Sequence, residues 1–195
     1  KPYDVRNFGR TRLEYRMPDI VLTTLPSLAK SYFHLLKTRK PGIQKADEIP
    51  RVTCELKSFR PSKQDYEDYC DVCGVVQAND VFPVYPQSLA NALHAQLVLS
   101  ERFPVKGLRL VHKSNSIEVR RPLRLDETWD FEASVEKSRD VAAGVEVDFH
   151  TQISVDGQWV WRSVSTLLVR SKSGGARKKR EVHDQDMGQL FRTTF

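Results

Sequence analysis

Apolar and polar residues alternate through the second half of the chain. Trp129, Phe131, Ala133 and Val135 face one way, against Asp130, Glu132, Ser134 and Glu136. Val145, Val147, Phe149, Thr151 and Ile153 repeat the pattern, and Trp159, Trp161, Ser163, Ser165 and Leu167 repeat it again after Asp156-Gly157. A period of two predicts strands with one buried face, and Asp-Gly between two such runs predicts a tight hairpin. Leu108, Leu110 and His112 alternate as well, followed by Ile117-Glu118-Val119-Arg120 and a break at Arg121-Pro122. An earlier strand is expected over Val52 to Ser58. The helical period appears three times. Leu28, Tyr32, Leu35 and Leu36 predict a short amphipathic helix over Pro26 to Lys37. Ser62, with Asp65 three residues on, starts a second helix that carries Tyr66, Tyr69, Cys70 and Cys73 along one face and stops at Gly74. From Ser88 to Ser100 the apolar residues Leu89, Ala90, Ala92, Leu93, Ala95, Leu97 and Leu99 occupy most of the circumference, so this helix is buried.

A buried helix followed by consecutive antiparallel strands that can curl around it predicts a two-layer α+β domain over residues 51–172. Residues 1–50 read as a basic extension with one short helix, within which 1–24 form an arm ordered by a partner and Thr38 to Pro50 a linker. Residues 173–195 read as a basic linker or tail.

Composition narrows the classes. With 195 residues, 39% of them hydrophobic, the chain can build one domain core plus extensions. No apolar run approaches the ~20 residues of a bilayer-crossing helix, so no membrane span is expected. The three cysteines are too few for a disulfide framework and fit a reducing compartment. The net charge of +6 gathers towards the ends, at Arg6, Arg10, Arg12, Arg16, Lys30, Lys37, Arg39, Lys40 and Lys45, and again at Arg177-Lys178-Lys179-Arg180. Such blocks are solvated tails or bind polyanions through salt-sensitive phosphate contacts. A start at Lys1 suggests a processed or trimmed chain, and the basic segment suits the remnant of an organelle-targeted precursor, so the mitochondrial matrix is expected over the cytoplasm.

The richest stretch is Asn79-Asp80-Val81-Phe82-Pro83-Val84-Tyr85-Pro86-Gln87, an acidic turn and proline elbow running into the buried helix. The segments from Tyr69-x-x-Val72-Cys73-Gly74 through Asp80-x-x-Pro83-x-Tyr85-Pro86, Ser88-Leu89-Ala90, Leu93-His94, Phe103-Pro104, Gly107-Leu108, Val111-His112, Asn115, Ile117 and Arg121-Pro122-Leu123 come in order, closed by the Trp161 to Val169 strand. Together, over about two thirds of the chain, this series resembles the MaoC-like enoyl-CoA hydratase and hydroxyacyl dehydratase family. The resemblance implies the hotdog fold, a central helix wrapped by a curved antiparallel sheet. It also implies reversible hydration of an enoyl thioester, with acyl-CoA or an acyl carrier protein thioester as ligand and no metal or redox cofactor.

In that family the signature Gly-Asp-x-Asn-Pro-hydrophobic-His supplies two titratable groups to one water. Asp80 and Pro83 match it. Asn79 stands for the Gly, Phe82 for the Asn and Tyr85 for the His, and a phenol titrating near pH 10 is a poor acid/base. The resemblance therefore implies the degenerate N-terminal repeat of a two-repeat enzyme, the non-catalytic acyl-binding half, with Met187 to Arg192 leading into a second repeat. Its partner is then a second hotdog domain, as a homo- or hetero-oligomer. The alternative is a catalytically dead descendant serving as a structural subunit of a large RNA-protein assembly, held through the basic termini. A hotdog thioesterase fits the elbow and the Arg121-Pro122-Leu123 turn less well.

Asp80 is the candidate catalytic residue, or simply a turn residue ahead of Pro83. Tyr85, Gln87, Asn91, His94 and His112 are the candidate substrate-binding set. For His94 and His112 a hydrogen bond within the fold is the competing role. Cys70-Asp71-Val72-Cys73 has the spacing of half a zinc or redox site but no second pair, so both thiols are expected to be structural.

Overall fold

The computed structural model describes residues 17–43 and 47–170. In order these form β1 (Ile20–Leu22), α1 (Leu28–Lys37), β2 (Val52–Phe59), α2 (Lys63–Cys73), α3 (Tyr85–Leu99), a 3-10 turn (Gly107–Arg109), β3 (Leu110–Val119), β4 (Trp129–Val141), β5 (Gly144–Val155) and β6 (Gln158–Arg170). One sheet carries all six strands in the order β1-β2-β4-β5-β6-β3. Every pairing is antiparallel except that of β1 with β2. A long central helix against a wrapping antiparallel sheet is the hotdog architecture expected from the sequence.

The core lies between α3 and the apolar face of the sheet. Phe131 and Val135 of β4, Phe149 and Ile153 of β5 and Trp161 of β6 are buried there beneath Ala90, Leu93 and Leu97 of α3. These are the alternating positions of the sequence pattern, and the helix is what their apolar face needed. Asp156 and Gly157 both take positive φ (50° and 74°), as a two-residue hairpin turn with right-handed strand twist requires. Ser62 Oγ accepts the Asp65 amide at 3.2 Å to start α2. Gly74, at φ 65°, ends it in the left-handed region.

α3 starts without a side-chain cap, with Pro86 in its first turn. At its other end Lys40 Nζ donates to the carbonyls of Leu99 (3.4 Å) and Ser100 (2.5 Å), a cation on the negative end of the helix. The Gly42 amide bonds Pro104 O, and Arg102 bonds Asp19, so residues 17–43 are fastened to this end of the core.

The structure departs from the sequence reading at three places. Ile20–Leu22 lies in the stretch read as a partner-ordered arm, yet it pairs with Cys54–Leu56 of its own chain; the basic residues before Met17 lie outside the described residues. α1 turns Ser31 and Leu35 inward and leaves Tyr32, Phe33 and Leu36 more than half exposed. The seam inferred from Leu28, Tyr32, Leu35 and Leu36 is thus rotated, because Gln96 of α3 donates to Ser31 Oγ at 3.0 Å and draws that edge inward. Cys73 is exposed rather than structural, while Cys70 is buried.

Candidate functional site

The elbow before α3 is held from three sides. The Val81 amide donates to Leu123 O at 2.8 Å, the Phe82 amide donates to Tyr66 Oη at 2.9 Å, and Trp161 Nε1–H donates to Pro83 O at 2.8 Å. Between these ties lies an open cleft of about 220 Å³ lined by Tyr66, Val76, Ala78, Asp80, Val81, Phe82, Pro83, Val119 and Pro122. Apart from Asp80 and the Tyr66 hydroxyl its walls carry apolar side chains. Asp80 is exposed at its rim. The Arg124 guanidinium, held charged first by its hydrogen bond to Asp126, is close enough to feel Asp80 as well. Among the described residues no histidine lines this cleft.

Tyr85 does not share the cleft with Asp80. Its ring is buried edge-on against Tyr66 (4.9 Å between centroids) and Tyr69 (5.0 Å). Burial, then the charge of Asp65, pushes its phenol up to about 12. A group that holds its proton across the whole working range and looks towards α2 is neither a base nor a partner for Asp80. It is a packing residue.

A second cluster lies along a different face of α3. Gln87, Asn91 and His94 recur at helical spacing on that face. Gln87 Oε1 accepts from Ser163 Oγ at 2.7 Å, and Gln87 Nε2 donates to Asn91 Oδ1 at 3.2 Å. His94 Nε2 lies 2.7 Å from Thr151 Oγ1. Burial, with smaller repulsions from His112 and His150, lowers the His94 imidazole to about 4, so it is neutral near pH 7. β6 adds Ser165, whose Oγ is buried with no hydrogen-bond partner among the described residues. On the edge strand Asn115 stands opposite Ser165 in the β3–β6 register. The result is a lane of hydrogen-bonding groups leading from the buried side of α3 towards β3. It can hold a neutral polar ligand such as a carbonyl, an amide or a hydroxyl.

The predicted site residues therefore fall into two groups. Gln87, Asn91 and His94 come together, with His112 near them but exposed on β3. Asp80 sits apart in the apolar cleft, and Tyr85 joins neither group. Thr151, Ser163 and Ser165 were missed as site residues, although polar residues on the inward register of β5 and β6 were a readable signal. Among the described residues no His/Cys/Asp/Glu group could hold a metal ion, and no helix is long and apolar enough to cross a membrane.

No family model matches the chain. It is 25% identical to the 3-hydroxyacyl-thioester dehydratase X of Mycobacterium tuberculosis over 150 residues, which cover 77% of this chain and 54% of that protein. The chain thus spans about half the length of the curated relative that it matches. The crystal structure of HtdX from Mycobacterium tuberculosis superposes with a TM-score of 0.57 at 25% identity, over 60% of this chain and 51% of that one. The monoamine oxidase regulatory protein of Archaeoglobus shares the fold, with a TM-score of 0.52 at 12% identity over 68% of this chain and 97% of that one.

Proposed function

We propose that the chain is a member of the MaoC-like hotdog dehydratase family, a reading supported by the relatives it resembles, and that it is the acyl-binding, non-catalytic half of a hydratase/dehydratase. The observation that carries this reading is the orientation of Tyr85. Where the family signature has its histidine, this chain buries a phenol between Tyr66 and Tyr69 and leaves Asp80 alone at the rim of an apolar cleft. A single carboxylate can orient a water, but reversible hydration also needs a second group that gives or takes the other proton. The apolar cleft beside Asp80 suits a hydrocarbon chain, and the Gln87–His94 lane suits the polar part of a thioester. Coenzyme A and an acyl carrier protein both fit as the carrier.

The partner under this reading is a second hotdog domain, and β3 is where it docks. β3 ends the sheet: among the described residues it pairs only with β6, so its outer edge presents backbone donors and acceptors to another strand. Val111 and Val119 are partly exposed on the same strand.

Titration calorimetry and a hydration assay with crotonyl and longer enoyl thioesters test the reading together. The chain alone is expected to bind an acyl thioester and to leave it unhydrated, with turnover appearing only when a hotdog domain carrying an intact Asp/His pair is added. Robust turnover by the chain alone refutes the non-catalytic reading, and turnover that survives Asp80→Asn removes Asp80 from the chemistry. If neither binding nor turnover is found, the same absence of a histidine favours the retired-hydratase reading, a structural subunit of an RNA-protein assembly.

A further inference from the structure

The outward face of α1 has no role in either cluster. Tyr32, Phe33 and Leu36 share this face at i, i+1 and i+4, and all three are more than half exposed (57%, 54% and 53%). A short helix fastened to the core through Ser31 and Leu35 has no need of large apolar groups on its solvent side, so this exposure is a feature to be explained. Met17 and Val21, on the segment leading into α1, are exposed too. The surrounding charge has one sign. From Thr23 to Ile43 the chain contains no Asp or Glu and carries Lys30, Lys37, Arg39 and Lys40. Lys40 is engaged at the end of α3, while among the described residues Lys30, Lys37 and Arg39 have no carboxylate partner.

We propose that this face of α1 docks on an anionic lipid surface, with Phe33 and Leu36 entering the interface and Lys30, Lys37 and Arg39 meeting the headgroups. Charge opposes face-to-face pairing with a second copy of the chain, since two such faces would set cations against cations with no acid on either helix. RNA fits less well: Lys37 Nζ lies 4.0 Å from the Phe33 ring centroid, covering a face on which a base would stack, and Leu36 offers no π surface. For a bilayer the same Lys37 geometry is favourable, because the ammonium rides at the level of the ring while its stem lies along apolar surface. The three side chains project from the helix, as insertion into an interface requires. The expected outcome is reversible peripheral attachment, which a salt increase weakens. This inference does not rest on the hydratase reading, since α1 lies outside both the cleft and the polar lane.

Co-sedimentation of the full chain with two kinds of vesicle tests it: phosphatidylcholine alone, and an equal mixture of phosphatidylcholine and phosphatidylglycerol. Binding is expected only to the mixed vesicles. Because each basic side chain near an anionic surface contributes about 1 kcal/mol, the double variant Lys30→Gln/Lys37→Gln should weaken partitioning about 30-fold. Phe33→Ser/Leu36→Ser should weaken it by at least about tenfold. Both pairs are exposed, so unchanged thermal melting confirms that each variant is folded. Equal binding to both vesicles, no binding to either, or undiminished binding by both variants overturns the proposal. Binding to poly(U) that the Phe33/Leu36 variant abolishes, without vesicle binding, also overturns it and assigns the face to RNA.

Discussion

The buried His94 makes stability depend on pH in a way that one substitution can isolate. In the unfolded chain its imidazole takes up a proton around the ordinary value of 6.5, whereas in the fold burial, helped by His112 and His150, lowers it to about 4. Above pH 6.5 neither state is protonated there and the group contributes no pH dependence. As the pH falls from 6.5 towards 4, the unfolded chain binds a proton that the folded chain refuses, so stability is lost over that window. At about 1.4 kcal/mol per pH unit within it, the loss from pH 7 to pH 5 comes to about 2 kcal/mol, and it levels off near 3 kcal/mol below pH 4. For a domain of this size that equals a melting-temperature drop of about 4–8 °C by pH 5. Acidic residues add their own dependence, so the informative quantity is a difference between proteins. His94→Gln keeps a group able to bond Thr151 Oγ1 but cannot titrate. Urea denaturation of both proteins at pH 7 and pH 5 should show the parent losing about 2 kcal/mol more than the variant. Parallel losses would mean that His94 is protonated in the fold or reached by solvent, and the account of a neutral polar lane would fail.

Other substitutions probe the elbow and the helix ends. Trp161→Phe removes the donor to Pro83 O and part of a buried ring, and should cost about 1–3 kcal/mol, with faster hydrogen exchange at the Val81 and Phe82 amides. Tyr85→His restores the family residue without its setting. It should lower stability by about 1–3 kcal/mol through lost ring packing and should yield no hydration of crotonyl thioesters; measurable turnover would show that this position does reach Asp80. Lys40→Met leaves the last carbonyls of α3 without their cation and should cost about 1 kcal/mol, read from the urea midpoint at unchanged slope. Gly107→Ala would place a Cβ 3.1 Å from Leu35 and 3.3 Å from Val98 where α1 meets α3, so a melting temperature lowered by a few degrees is expected.

What the sequence disclosed follows from which forces are local. β4, β5 and β6 were legible because each has one face on α3 and so carries a strict alternation from Trp129 onwards. β1 was not: three residues have no period to read, and their order comes from a parallel pairing with a strand about thirty residues away in the chain (Ile20 opposite Cys54). The helical period located α1 but could not orient it, since Gln96 on another helix decides which edge turns in. Glu146 and Asp148 fall on the polar register of β5, where alternation alone predicts solvent. Both are nonetheless buried, because the sheet sets Arg139 against the two of them, Lys113 against Glu146 and the Thr166 hydroxyl against Asp148. A curled sheet buries charges on its outer face only when partners arrive with them, and those partners come from three other strands.

The candidate site divides along the same line. That Tyr85 replaces a histidine is plain in the sequence, but where its ring goes is a tertiary fact. A phenol at the mouth of the cleft could have hydrogen-bonded a ligand. A phenol wedged edge-on between Tyr66 and Tyr69 instead ties the start of α3 to α2 and contributes packing of the kind aromatic pairs provide. Tyr66 then reaches back through its hydroxyl to the Phe82 amide, so that same aromatic cluster fixes the elbow. Where the family signature has its histidine, this chain has a packing residue that lies behind the cleft, against Tyr66 and Tyr69. An imidazole placed there would have to leave the α2 packing to approach Asp80, and so the elbow lacks the second half of an acid/base pair.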